Sequence, residues 1–416
     1  MKNYLVIQLA RFGDLMQTKR LLATLCARKD AVVHLCIDNS LQSLAYKIYP
    51  QVVIHPVAAH GTGLNRSEAM RAMLQDNRKA FARLKSIDFE TIYNLNFSGL
   101  NFRMAGLFDP EKTKGYSWQN GQEIVGLWPS MAMRWSKFRR IAINLVDFWA
   151  GYCPDMIAPE SVNPAAQGKG GGIGVVLAGR ESRRSLPANI LAKITATLGN
   201  SGKVDRIVLL GGKSEQAAGQ SVIKGLPRNL QEKTKNLAGK TDWTHLVETI
   251  NSLDMLLTPD TGSMHLAAHL GTPVKAFFLS SAWCFETGPY GLGHTVYQAV
   301  SDCLPCLENR PCNNDLKCLE CFTDPSFQRF LVTGKPEHAP AGIIGFKSDF
   351  DQLGQIYTSF AGINTDMEQR MKFREFIRQH LFKDGGKISD LEKLFAERVY
   401  REKDWMTFPQ PIATFG

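Results

Sequence analysis

Leu256-Leu257-Thr258-Pro259-Asp260-Thr261-Gly262-Ser263-Met264-His265-Leu266-Ala267-Ala268-His269-Leu270-Gly271 reads as the end of a buried strand, a tight turn and a helix. Residues 255–257 are the apolar strand tail. Pro259 removes a backbone donor and biases Thr258 towards an extended conformation. Asp260 or Thr261 supplies a side-chain oxygen suited to capping the helix. Gly262 lets another group approach the backbone closely. Gly271 stands where a C-cap glycine belongs, and Pro273 follows. The helix start offers the amides of Thr261, Gly262 and Ser263 together with the positive end of the dipole, a seat for phosphate. His265 lies one turn in, within range of the same ligand. The residues leave two readings open: a phosphate seat, or an ordinary capped helix with His265 as a satisfied polar residue.

Around this stretch, strand and helix patterns alternate. In the first part, residues 4–9, 31–37, 52–55 and 91–95 read as strands, and residues 40–48, 67–85, 100–107 and 141–152 as helices. Gly13 permits a turn after the first strand. Asp14 opens the next helix, beyond the strand's C-terminal edge, where open α/β sheets place ligands. A helix-capping role for Asp14 is compatible with that position. The glycine-rich stretch 158–172 is the clearest break in composition and reads as a linker. A second series follows, with strands at 173–177, 206–210 and 274–279 and helices after Pro187 and over 243–252. From about residue 342 the spacing predicts helices over 350–360, 367–382 and 388–400. The expected fold is α/β: two doubly wound Rossmann-like domains, 1–157 and 173–341, facing a cleft, with a helical C-terminal extension over 342–416.

The chain has 416 residues, 44% hydrophobic and 21% charged, enough for two cores. No apolar run is long enough to span a bilayer. The N-terminal segment is expected to be a first strand rather than a signal peptide, so the protein is expected in the cytoplasm. The net charge of +10 suits an acidic ligand, an anionic membrane surface or nucleic acid. No nucleic-acid module is present. The basic run at 134–140 mixes cations with aromatics and suits either anionic lipid heads or a solvated helix face. Gly212-Lys213-Ser214 lacks the upstream glycine of a Walker motif, and Gly61 and Gly63 lack the spacing of a dinucleotide fingerprint.

Five of the nine cysteines fall within residues 303–321. The pairs Cys303/Cys306 and Cys318/Cys321 are two Cys-x-x-Cys units with metal-knuckle spacing, a set that favours structural zinc or iron. The alternative is a loop of free thiols.

Asp260-Thr261-Gly262-x-x-His265-Leu-Ala-Ala-x-Leu-Gly-Thr-Pro resembles the donor-site motif of the ADP-heptose:lipopolysaccharide heptosyltransferases, glycosyltransferase family 9 of the GT-B type. Residues 4–14 resemble that family's opening strand and Gly-Asp turn. Residues 94–100, running on to Lys114-Gly115-Tyr116, form a third match in the same order. The resemblance implies an inverting glycosyltransferase that moves heptose from ADP-heptose to a lipopolysaccharide core or related acceptor, needing no catalytic cofactor. It implies Asp14 as general base. Counted back from Pro187, Arg184 takes the place of the family's diphosphate-binding lysine, with Arg180 nearby. Glu215 is implied at the ribose and Thr241 at the base pocket, while Asp260, Thr261, Gly262 and His265 surround the diphosphate. Lys19, His60 and Asn96 are expected on the acceptor side. Lys19 and Arg20 stand where the family has a small or hydroxyl residue and then proline. Cysteine-rich loops in some relatives agree with structural metal at Cys303, Cys306, Cys318 and Cys321. The implied partners are a nucleotide-sugar donor, an anionic glycolipid acceptor and, peripherally, the inner membrane, with no nucleic acid. Alternatives are a different donor sugar, a protein or glycan acceptor, a noncatalytic sugar-nucleotide-binding protein, and an epimerase on the same architecture.

Overall fold

A computed structural model describes residues 1–60, 68, 71, 75–130, 140–178, 182–202, 204–307 and 310–382. The apolar N-terminal run forms β1 (Lys2–Gln8), and β2 (Ala31–Asp38), β3 (Val53–Val57) and β4 (Phe89–Asn94) follow. Next come β5 (Thr113–Gln119) and β6 (Gln122–Val125), giving a six-stranded sheet in the order β3-β2-β1-β4-β5-β6. All its pairings are parallel except β5 with β6. That terminal hairpin was not anticipated. Its two-residue Asn120-Gly121 turn is the common hairpin signature.

The second sheet contains β7 (Ile173–Val176), β8 (Ile207–Leu210), β9 (Thr234–Asn236), β10 (Met255–Pro259), β11 (Val274–Phe278) and β12 (Thr295–Ala299). It is completed by β13 (Ile343–Phe350) and β14 (Gln355–Ala361), in the order β14-β13-β12-β11-β10-β7-β8-β9. The strands β7 to β12 pair in parallel; β13 and β14 are antiparallel additions. The fold is therefore α/β with two doubly wound sheets, as expected. Leu15, Leu21, Leu22 and Leu25 are buried against the first sheet.

Several expectations are corrected or bounded. Residues 350–360, expected as helix, are the end of β13, a turn and most of β14. Gly354 sits in that turn at φ 154°, and an added Cβ would lie 2.1 Å from Cγ of Asp147. A glycine so placed ends a helix and permits the close approach. The helix expected next is present as Met367–Phe382, whereas 388–400 and most of 131–140 lie outside the described residues. Of the expected helix 67–85, Arg78–Lys85 is described as one helix. Finally, residues 158–172 form a strap rather than a free tether. Ala166 N donates to Leu292 O, Gln167 N to Gly271 O and Lys169 N to Leu253 O, and Asp254 accepts from the amides of Gly170 and Gly172.

The two halves meet on a buried charge. Arg20 is 1% exposed and Asp147 fully buried, with Nη1 of Arg20 2.5 Å from Oδ1 of Asp147. Arg20 also donates to the carbonyls of Leu353 and Ile157. Asp147 accepts from the Tyr290 hydroxyl and from Gln355 N. The network joins the Lys19–Cys26 helix, the Leu145–Ala150 helix, the strap and the β13–β14 turn. The Met367–Phe382 helix packs back over the same junction: Arg370 donates to Arg140 O, and the His380 ring stacks on Trp128 at 6.1 Å. Removing one member of a buried pair strands the other charge, a loss of about 3–5 kcal/mol. Asp147→Ala is accordingly expected to lower the urea midpoint strongly; a midpoint within experimental error of wild type contradicts this role.

Candidate active site

Both sheets present the C-terminal ends of their parallel strands to a cleft of about 1450 Å³. In open α/β sheets this is the edge at which ligands bind. From the first half come Asp14 and Gln17 on the Phe12–Gln17 helix after β1, His60 after β3, and Asn96, Phe97 and Ser98 after β4. From the second half come Arg184, Gly211, Gly212, Thr241, Trp243, residues 260–263, His265 and Thr287.

The motif that opened the reading folds as expected. Thr261 caps the Gly262–Leu270 helix, its hydroxyl accepting from Met264 N at 3.3 Å, and Gly271 closes the helix in the left-handed conformation. The first-turn amides of such a helix have no intrahelical partner and face the cleft with the positive dipole end. The need for glycine at 262 has a specific cause. A Cβ there would sit 2.1 Å from the Phe12 ring, so the helix carrying Asp14 packs directly on the start of the Gly262–Leu270 helix. Phe12 also meets the Trp243 ring at 4.8 Å, and the Trp243 indole donates to Ser40 O across the cleft.

Two of the charged groups in the cleft form a close pair. Arg184 makes an ion pair with Asp260, which also accepts from the Thr287 hydroxyl at 2.8 Å. His265 Nε2 lies 3.8 Å from the other oxygen of Asp260 and 3.2 Å from the Gln17 amide nitrogen. With that amide donating, the proton of the neutral ring resides on Nδ1. Burial pushes the His265 pKa down to about 4, with Asp260 opposing and Arg184 assisting. Oδ2 of Asp14 accepts from Arg11 N at 3.1 Å, so the carboxylate also closes its own helix start.

Other expected residues fall differently. Glu215 holds the glycine loop, accepting from Gly212 N at 2.6 Å and from the Ser214 hydroxyl at 2.5 Å, and is one step outside the cleft lining. Asn96 lines the cleft, but its amide is engaged: Oδ1 accepts from Leu9 N and Nδ2 donates to Gln8. Lys19 is not brought to the cleft. It lies near His269, whose pKa burial and the Lys19 charge lower to about 3, and burial lowers that of Lys19 itself to about 8. Arg20 is consumed in the buried network. Arg180 lies outside the described residues. Gln17, Trp243 and Thr287 were missed. Gln17 stands three residues after Asp14, a spacing that puts both on one helix face, whereas Thr287 carries no comparable local signal.

The expected metal-binding cysteines differ in exposure. Among the described residues, no three His, Cys, Asp or Glu side chains are grouped to hold a metal ion. Cys303 is exposed and 3.1 Å from the Ser301 hydroxyl, while Cys318 and Cys321 are buried beside Phe322. Each Cys-x-x-Cys unit closes on itself, with Cys306 Sγ 3.5 Å from Cys303 O and Cys321 Sγ 3.5 Å from Cys318 O. Burial raises the pKa of Cys306 and of Cys318, and the neighbouring Cys303 and Cys312 thiols add to both rises. Arg183 donates to Arg310 O and ties this loop to the Ser182–Arg184 turn.

Residues 163–317 match the family model of glycosyltransferase family 9 (heptosyltransferase). Lipooligosaccharide heptosyltransferase 2 of Haemophilus influenzae is 33% identical over 72 residues, 17% of this chain and 21% of that protein. The chain thus matches about a fifth of the length of this curated relative. Escherichia coli ADP-heptose lps heptosyltransferase II superposes with a TM-score of 0.51 at 18% identity, covering 77% of this chain and 98% of that one. Escherichia coli heptosyltransferase WaaC with ADP superposes with a TM-score of 0.51 at 15% identity, covering 72% and 93%. These superpositions establish the shared fold. The stretch that matches glycosyltransferase family 9 (heptosyltransferase), residues 163–317, includes Arg184, Gly212, Thr241 and residues 260–265 of the cleft.

Proposed function

We propose that the protein is an inverting glycosyltransferase that moves heptose from ADP-heptose to a lipopolysaccharide core or related anionic glycolipid. The observation that carries this reading is the direct packing of the Asp14 helix on the phosphate seat at residues 260–263, within one cleft. The acceptor occupies the half formed by residues 1–157 and the donor the half formed by residues 173–341. The bound ADP named for the WaaC structure supports an ADP-sugar donor. Such an acceptor would bring the protein to the cytoplasmic face of the inner membrane. No helix among the described residues is long and apolar enough to cross a membrane.

Asp14 takes the proton of the acceptor hydroxyl as the new glycosidic bond forms at the anomeric carbon. On the opposite face the bond to the diphosphate breaks, and the electron pair leaves with ADP. The first-turn amides of the Gly262–Leu270 helix and its dipole receive the charge that develops on the diphosphate. Arg184 adds a forked cation, which the diphosphate must draw from its pairing with Asp260. Neutral His265 contributes a hydrogen bond without adding charge, and Gln17 ties that ring to the helix of the base. The Trp243 and Phe12 rings wall the cleft and help exclude water that would hydrolyse the donor.

The first test measures ADP release and acceptor mass after incubation with ADP-heptose and a truncated lipid A–Kdo acceptor. A heptose-sized mass gain supports the reading; product formed without acceptor would favour an epimerase. Asp14→Asn is expected to lower kcat by about 10²–10⁴ while leaving ADP affinity in calorimetry unchanged. Arg184→Ala is expected to weaken ADP-heptose binding by about 1.5–3 kcal/mol, the worth of a charge-assisted hydrogen bond. His265 should be neutral at pH 7 in ring-carbon NMR. The unfolded chain takes up this proton below about pH 6.5, whereas the folded ring declines it until about pH 4. The stability it contributes is thus complete above pH 6.5 and is lost as the pH falls towards 4. A His265 titration centred near 6.5 would count against this arrangement.

A further inference from the structure

Phe97 is 60% exposed although it lines the cleft. It is not a loose side chain. Its ring is held edge-on by Phe102 at 5.4 Å and by Tyr116 at 5.6 Å, and these two buried rings meet each other at 5.6 Å. The backbone beneath is equally braced. Asn96 spans Leu9 and Gln8 at the end of β1, and Asn94 donates to the carbonyls of Asn101 and Tyr116. Ser98 caps the Gly99–Ala105 helix. Among the described residues the core beneath is already filled by Phe102 and Tyr116, so packing does not call for an exposed aromatic at this position. A rigid ring kept in water costs hydrophobic free energy that a ligand can recover at little cost in entropy.

The surroundings select the ligand. Asp14, His60 and Ser98 line the same cavity on the same half of the protein. The half-cavity mixes these polar groups with Ala59, Leu100 and the Phe97 ring, and the mixture suits a ligand with both apolar and hydroxyl-bearing faces better than a lipid chain, which requires continuous apolar surface. A pyranose has such faces: its C–H face is apolar and its edges carry hydroxyls. Resting on the transferase reading above, we propose that Phe97 is the platform on which a sugar ring of the acceptor stacks. Asn96, next to it, acts as a positioning residue that holds the platform level with the Asp14 turn.

The test uses a deacylated, heptose-terminated lipopolysaccharide core oligosaccharide and saturation-transfer NMR on the full chain. Wild type is expected to saturate the C–H protons of one sugar ring preferentially. Phe97→Ala is expected to lose that pattern and to raise the KM for the oligosaccharide about tenfold, whereas Phe97→Tyr retains both. Unchanged ADP affinity in Phe97→Ala shows that the fold and the donor side are intact. Binding of the oligosaccharide by Phe97→Ala with wild-type affinity overturns the proposal, as does Phe97-dependent modification of an unglycosylated serine peptide. The binding arm does not depend on turnover. Phe97-dependent stacking without heptose transfer would leave the platform standing and remove the transferase reading. Efficient transfer by Phe97→Ala at wild-type KM would do the reverse.

Discussion

A guanidinium and a carboxylate removed from water at the junction of two sheets set the geometry of this protein. Arg20 and Asp147 satisfy each other and draw in Tyr290, Gln355 and the carbonyls of Ile157 and Leu353. These partners come from the Lys19–Cys26 and Leu145–Ala150 helices, from Ile157 just before the strap, from the loop at Tyr290 and from the β13–β14 hairpin, so the buried pair is satisfied only when all are in place. A buried ion pair contributes little net stability compared with an apolar substitute, but it tolerates few alternative arrangements. Here it fixes how the first sheet faces the second. Gly354 has no side chain because Asp147 occupies that space. The strap from 158 to 172 follows the surface of the second sheet, leaving that half little freedom to drift.

The cleft inherits its order from this junction. Phe12 lies on Gly262, which puts the Asp14 helix against the start of the Gly262–Leu270 helix, and Gln17 reaches His265 over the same contact. Arg184 pairs with Asp260, and burial holds the His265 pKa down to about 4. An anion drawn to Arg184 exchanges with Asp260 instead of meeting an isolated charge. On the side of the first sheet, amide side chains are spent on bracing loops and the Phe97 ring is left open.

Some of this was legible along the chain because the signal is local. The residues 256–271 carry strand, cap, close-approach glycine and C-cap glycine in consecutive positions, and the structure contains each of them. Where the period of the pattern was ambiguous, the reading failed. Phe350, Leu353, Tyr357 and Phe360 suit a helical period, yet the segment pairs as strands because β12 offers an open edge and Gly354 interrupts any helix. Lys19 and Arg20 follow Asp14 closely enough to look like acceptor contacts. Their helix begins anew after Thr18 and turns Arg20 into the junction. The two Cys-x-x-Cys units have metal spacing, and in each the second sulfur lies against the carbonyl of the first cysteine, a local contact that spacing alone does not reveal.

The sequence by itself determined the alternating α/β architecture, the capped helix at residues 262–270 and the carboxylate at the first turn, because each depends on side chains within a few residues of one another. Only the tertiary structure decided which ring lies on Gly262, which carboxylate neutralises Arg184, and that Asn96 braces while Phe97 stands open. Those outcomes depend on pairs such as Phe12 with Gly262, Gln17 with His265 and Arg20 with Asp147, more than a hundred residues apart in every case, and only the packed core brings them within bonding distance.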